Sequence, residues 1–65
     1  MRRRDLAYAA PGSYVLDERE DLIVESFYES QRDHAEHART MALRLSTELG
    51  RPFSVSQVVD LPEHG

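Results

Sequence analysis

The stretch from Asp17 to Leu49 contains neither glycine nor proline. Glycine and proline are the residues that most disfavour a helix interior, so nothing here interrupts a helix. Asp17 and Glu20 form an Asp-x-x-Glu capping pattern, in which each side chain can accept a backbone N–H of the first turn. Gly50 suits a left-handed helix end, and Pro52 prevents continuation. The sequence therefore predicts a long helix over about residues 17–49.

The apolar residues of this stretch recur at helical spacing. At about 100° per residue they fall on one stripe roughly 80° wide. The stripe consists of Leu16, Ile23, Phe27, Ala38, Met41, Leu45 and Leu49. Its middle is polar, with His34 among the few residues on that face. Asp33 and Glu36 repeat the capping pattern there, so a break near residues 32–33 is an alternative to a continuous or merely kinked helix.

The segment after Pro52 fits two structures. Ser54 and Gln57 form a further capping pattern and Pro62 would end the helix, which predicts a short helix over about residues 54–61. The β-forming residues of "FSVSQVV" favour an edge strand instead, which would add to the sheet of a partner. We predict the helix and keep the strand as the alternative.

The first 15 residues show no helical or strand period. Pro11 and Gly12 mark a turn, because proline presets one turn dihedral and glycine admits a positive φ. We expect residues 1–15 to form an irregular arm that is flexible or ordered only against a partner. The whole chain, residues 1–65, is then one small all-α domain.

Size and composition limit the ways in which such a domain is stabilised. A chain of 65 residues buries only about 60% of its unfolded surface, which makes a lone core marginal. The absence of cysteine excludes disulfides and thiolate-bound zinc. A protein partner or a homo-oligomer is therefore expected.

The formal net charge of −4 argues against nucleic acid as a partner. No apolar run is long enough for a signal peptide or a membrane span, so we expect no membrane partner and a cytoplasmic location.

His34 and His37 are the candidate metal ligands. Histidines three apart can bind one ion from one helical turn, with carboxylates as further ligands. Dinuclear carboxylate bundles use Glu-x-x-His, but Gln31 stands three residues before His34, and His34 itself stands three before His37. We predict no bound metal and no cofactor. A helical oligomer that binds metal through histidines and carboxylates is kept as an alternative.

Residues 40–61 match the outline of a helix-turn-helix, with a helix, Gly50 and a short second segment. The segment that would read DNA bases has no arginine or lysine, so the strongest phosphate and base contacts are absent. A DNA-binding regulator that uses residues 40–61 is the first alternative function, and the metal-binding oligomer is the second.

The sequence favours a non-enzymatic function. Serine–histidine and carboxylate pairs occur at helical spacing, but a single long helix forms no concave site that excludes water. An apolar stripe that short flanking segments cannot cover is an interface by default. We therefore predict a small adaptor, inhibitor or accessory subunit that self-associates through its helix. The predicted interface residues are Leu22, Ile23, Phe27, His34, Ala38, Met41, Leu45, Leu49, Phe53, Val55 and Val58.

Overall fold

A computed structural model describes residues 1–59 of the chain. A 3₁₀ helix at Arg3–Tyr8 precedes a hairpin of β1 (Gly12–Asp17) and β2 (Leu22–Tyr28). Helix α1 (His34–Leu49) and strand β3 (Phe53–Val58) follow. The strands form one antiparallel sheet in the order β2-β1-β3. The protein is therefore an α+β fold, and the all-α prediction is wrong.

The predicted long helix over residues 17–49 is correct only in its second half. Asp17 ends β1, and the residues from Leu22 to Tyr28 form a strand, as their β-branched and aromatic side chains favour. The chain turns without glycine because Asp21 and Asp33 take left-handed conformations, with φ of 57° and 56°. The alternative of a break near residues 32–33 located the helix start correctly, since α1 begins after Asp33.

The prediction of a second helix over residues 54–61 is also wrong for residues 54–58, which the structure describes as part of a strand. Phe53–Val58 is a strand, and residues 60 and 61 lie outside the described part of the chain. The Ser54 hydroxyl donates to the Glu18 carboxylate instead of capping a helix. The edge-strand alternative is confirmed, although β3 pairs with β1 of its own chain.

The C-terminal end of α1 follows the sequence signal. Gly50 ends α1 in a left-handed conformation with φ of 65°, and its N–H donates to the Ser46 carbonyl. This confirms the predicted helix end. The arm predicted over residues 1–15 is less irregular than expected, because it contains the 3₁₀ helix and the first residues of β1.

The central strand β1 divides the core into two clusters. Tyr14 and Leu16 face one side and Val15 the other, as the alternation of a strand requires. On one side Leu6 and Ala9 of the N-terminal segment cover Tyr14 and Leu16, together with Ile23 and Val58. On the other side α1 covers Val15. The residues packed there are Ala38, Ala42, Phe27, Met41, Leu45, Phe53 and Val55.

Gly12 allows β1 and β2 to approach each other. A Cβ at this position would overlap the Phe27 carbonyl oxygen and lie 2.9 Å from Tyr28 Cα. The glycine that the sequence indicates as a turn residue is therefore required by close packing at the start of a strand.

Candidate functional site

Most of the predicted interface residues pack inside the chain. Ile23, Phe27, Ala38, Met41, Leu45, Phe53, Val55 and Val58 belong to the two core clusters. Leu22 and Leu49 are exposed, and His34 is half-buried. Contacts within the chain account for the spacing of the packed residues, so a partner surface would have to lie among the exposed groups. An interface role for the predicted set stays a prediction.

The two candidate metal ligands have separate partners. His34 Nδ1 lies 2.7 Å from Ser13 Oγ. The His37 ring stacks on Phe27, with centroids 6.0 Å apart and planes 25° from parallel. Within residues 1–59, no three His, Cys, Asp or Glu side chains lie close enough together to hold a metal ion. The histidine stretch does not form a joint site in the described structure.

The Ser13–His34 contact resembles a nucleophile and its base, but its surroundings do not suit catalysis. Ser13 is fully buried in β1, and no cavity opens onto it in the described part of the chain. Gln57 Nε2 donates to the same Oγ at 3.4 Å, so the hydroxyl can donate to His34 Nδ1. These contacts satisfy a buried polar group and join β1, α1 and β3.

An ion pair between the buried Asp17 and the half-buried Arg51 fixes the beginning of β3. Asp17 Oδ2 accepts hydrogen bonds from Arg51 Nη2 at 2.7 Å and Nε at 3.2 Å. Asp17 Oδ1 accepts the backbone N–H groups of Arg19 and Glu20 in the hairpin turn. The Arg51 hydrogen bond is the main reason that the pKa of Asp17 lies below its usual value. The Arg51 guanidinium also lies 5.6 Å from the centroid of the Phe53 ring, which orients the first residue of the strand.

The β2 edge of the sheet is protected. Ile23 N–H donates to the Met1 carbonyl at 2.7 Å, and Arg3 N–H donates to the Asp21 carbonyl at 3.2 Å. The register between β1 and β2 shifts at Val24, which forms a bulge, and β2 carries the charged Glu25. Pairing with the terminus, a bulge and a charge are all features that prevent a further strand from joining an edge.

The β3 edge has none of these protections. Phe53–Val58 contains no charged residue, proline or glycine, and its register with β1 runs without a shift. Among residues 1–59 no strand pairs with its outer side, because β3 is last in the order β2-β1-β3. It is a regular and uncharged edge in an otherwise highly charged chain.

The hydrogen-bond pattern shows which β3 groups point outward. Glu18 N–H donates to the Pro52 carbonyl directly opposite, so this pair is of the hydrogen-bonded type. Such pairs alternate along an antiparallel ladder, so the even-numbered residues of β3 bond to β1. The backbone N–H and C=O groups of Phe53, Val55 and Gln57 therefore face away from the sheet. The Glu29 N–H bond to Pro11 gives the same alternation on the other side of β1.

Two of the exposed large apolar side chains lie on α1 and directly after β3. Leu43 is 70% exposed on α1. At 100° per residue it lies about 140° from the buried Ala38, so it points mainly away from the sheet. Val59, directly after the strand, is also exposed.

Sequence reasoning identified the strand as an alternative but not its open edge. The alternating apolar and polar residues of Phe53–Val58 were the available signal. Which edge remains open depends on long-range pairing, which no local pattern contains.

No family model, curated protein or solved structure matches the chain. No helix within residues 1–59 combines the length and apolar character needed to cross a bilayer. The cytoplasmic location expected from the sequence stays a prediction.

Proposed function

We propose that this chain is a small non-enzymatic interaction module that binds a protein partner by strand addition at the β3 edge. The supporting observation is the contrast between the two edges of one sheet. The N-terminal residues, a bulge and Glu25 block the β2 edge, whereas within residues 1–59 no strand pairs with the outward backbone groups of Phe53, Val55 and Gln57.

Strand addition supplies both affinity and selectivity at such an edge. Each of the three outward residues offers one N–H and one C=O, and a backbone hydrogen bond contributes about 0.5–1.5 kcal/mol net. Side chains on the two faces of the added strand would lie on the α1 side of the sheet and on the side of the N-terminal segment. Val59, directly after the strand, provides apolar surface next to it.

The alternative functions have less support. Of the candidate helix-turn-helix at residues 40–61, the described part, residues 40–59, has a strand at Phe53–Val58 where the second helix would begin. The net charge of −4 offers no general attraction to phosphate. The buried Ser13 gives no access to a substrate.

A peptide selection tests the proposal. A phage library of random dodecapeptides is selected on the chain immobilised at low density, where copies do not meet. Selected peptides are then titrated against Gln57→Pro and Gln57→Ala. Proline removes the outward N–H without removing a backbone bond to β1, since edge positions facing solvent tolerate proline. Alanine keeps the N–H and, like proline, loses the Gln57 side-chain bond to Ser13 Oγ, so the two variants differ in the N–H.

We expect the selected peptides to alternate apolar and polar residues, and to bind the wild type and Gln57→Ala but not Gln57→Pro. Peptides that bind all three proteins equally would show that the preferred docking surface lies elsewhere. A selection that yields no binder would also contradict the proposal.

A further inference from the structure

We propose that the partner at the β3 edge is a second copy of this chain, and that two copies form a continuous six-stranded antiparallel sheet with both helices on one face. This inference rests on strand addition as the proposed function. It adds the identity of the partner and the geometry of the assembly.

The positions of the outward groups determine that geometry. In an antiparallel pair, residues that exchange hydrogen bonds lie directly opposite each other and point to the same face. Only Phe53, Val55 and Gln57 have outward groups within β3, and Phe53 and Val55 pack against α1. Gln57 lies on the same face because strand side chains alternate. Any hydrogen-bonded antiparallel pairing of two β3 edges therefore places both helices on the same side.

The side chains of β3 suit pairing with themselves. In the register centred on Val55, valine faces valine on the helix side. Ser54 faces Ser56 of the second copy on the other side, and Phe53 faces its Gln57. Serine pairs and β-branched pairs are favourable across strands, and no like charges meet because the strand carries none. A twofold axis perpendicular to the sheet relates the two copies, which makes the interface self-complementary.

The position of α1 is compatible with the same arrangement. Helix α1 packs over all three strands, mainly over β1 and β3. Strands about 4.8 Å apart would then separate the two helix axes by about 10–14 Å. A helix with its side chains is about 10–12 Å across, so long side chains of the two helices come within reach of each other and the helices do not collide.

Self-association would also add to the small apolar core of the chain. A domain of 65 residues has a small core, and pairing two sheets and two helices adds apolar burial without further sequence.

Sedimentation velocity over a range of concentrations tests the dimer, with Gln57→Ala as the control for Gln57→Pro. Because both copies carry the substitution, Gln57→Pro removes two N–H donors from the dimer. Each donor contributes about fivefold to the equilibrium constant for association. Gln57→Ala and Gln57→Pro lack the same side chain, and we expect the proline dimer to dissociate at least about 25-fold more readily than the alanine dimer. Circular dichroism establishes that the proline variant remains folded.

A nitroxide pair tests the face on which the helices lie. The chain has no cysteine, so Thr47→Cys on the outer side of α1 carries the only label. Helices on one face predict a label separation of about 15–25 Å, and helices on opposite faces about 40 Å or more, from a helix-to-sheet spacing of about 10 Å. Opposite faces would refute the antiparallel geometry. If Gln57→Pro fails to fold, this distance in the wild type still decides the proposal.

A wild type that stays monomeric at millimolar concentration would overturn the second copy as the partner, as would a Gln57→Pro variant that dimerises like Gln57→Ala. These failures differ from failure of the proposed function. A monomer whose β3 edge still binds the selected peptides retains strand addition and loses only self-pairing.

Discussion

Truncation of Leu16 to alanine should remove a large part of the folding free energy. Leu16 is fully buried in β1, where it packs with Tyr14 and Ile23 beneath the N-terminal segment. Losing three side-chain carbons at about 0.8 kcal/mol each removes about 2.4 kcal/mol of transfer free energy. The cavity left behind raises the loss to about 3–4 kcal/mol. At 0.05–0.15 kcal/mol per residue the chain has only about 3–10 kcal/mol in total, so the variant should be partly unfolded in water.

Leu49→Ala is the matched control. It is the same chemical change, but Leu49 is 51% exposed near the end of α1, so we expect a loss of about 1 kcal/mol. One long amphipathic helix would place both leucines on the same apolar stripe and give similar losses. In the sheet structure Leu16 is buried and Leu49 is exposed, so the two losses of unfolding free energy are unequal.

Urea unfolding followed by circular dichroism measures both variants. All proteins are compared at one concentration, because self-association would otherwise contribute to stability. Equal slopes of the unfolding free energy against urea concentration show that the variants expose the same amount of surface on unfolding. Losses for Leu16→Ala and Leu49→Ala within about 0.5 kcal/mol of each other would refute the assignment of Leu16 to a central strand.

Acid unfolding should report on Asp17. Its pKa is lowered in the folded state, chiefly by Arg51, so its stabilisation is complete above the unfolded pKa of about 3.9 and is lost as the pH falls through the lower folded value. The stability difference between wild type and Asp17→Asn, from urea midpoints at pH 7 to 2, should therefore shrink below about pH 4; a constant difference would exclude a charged Asp17–Arg51 pair. Gly12→Ala should cost about 1–3 kcal/mol, because its methyl group overlaps the β2 backbone. Gly50→Ala meets no atom within 4 Å and should lose only about 1–2 kcal/mol for its left-handed backbone; thermal unfolding that finds Gly12→Ala neutral would contradict the β1–β2 packing.

Local signals in the sequence located the helix and its end but misplaced its beginning. Gly50 and Pro52 end α1 where predicted. The capping pattern at Asp17 does form hydrogen bonds to the backbone, but it forms them in a turn and not at the start of a helix. The Asp17 carboxylate accepts the backbone N–H groups two and three residues later. Asp makes the same local bonds at a helix start and in a turn, so sequence alone does not separate the two.

The apolar spacing was ambiguous for a related reason. Leu16, Ile23 and Phe27 fit a helical stripe, yet Leu16 and Ile23 lie opposite each other across two strands. Phe27 lies on the other face of the sheet. Turns normally marked by glycine or proline were formed by Asp21 and Asp33 in left-handed conformations, so the usual punctuation was missing.

The candidate site was less predictable than the helix. The β-forming residues of β3 gave the strand as an alternative, together with pairing to a partner. The open edge follows from the order of strands and from the N-terminal residues that cover β2, both set by long-range contacts.

Amide hydrogen exchange measured by NMR, residue by residue along β3, tests the open edge most directly. The amides of Ser54 and Ser56 bond to β1 and should exchange slowly at every protein concentration. Those of Val55 and Gln57 should exchange rapidly in dilute protein and slow as the concentration rises and a second copy joins the edge. Slow exchange at Val55 and Gln57 at the lowest concentration, where the chain is monomeric, would show that the edge is already occupied and would contradict the account.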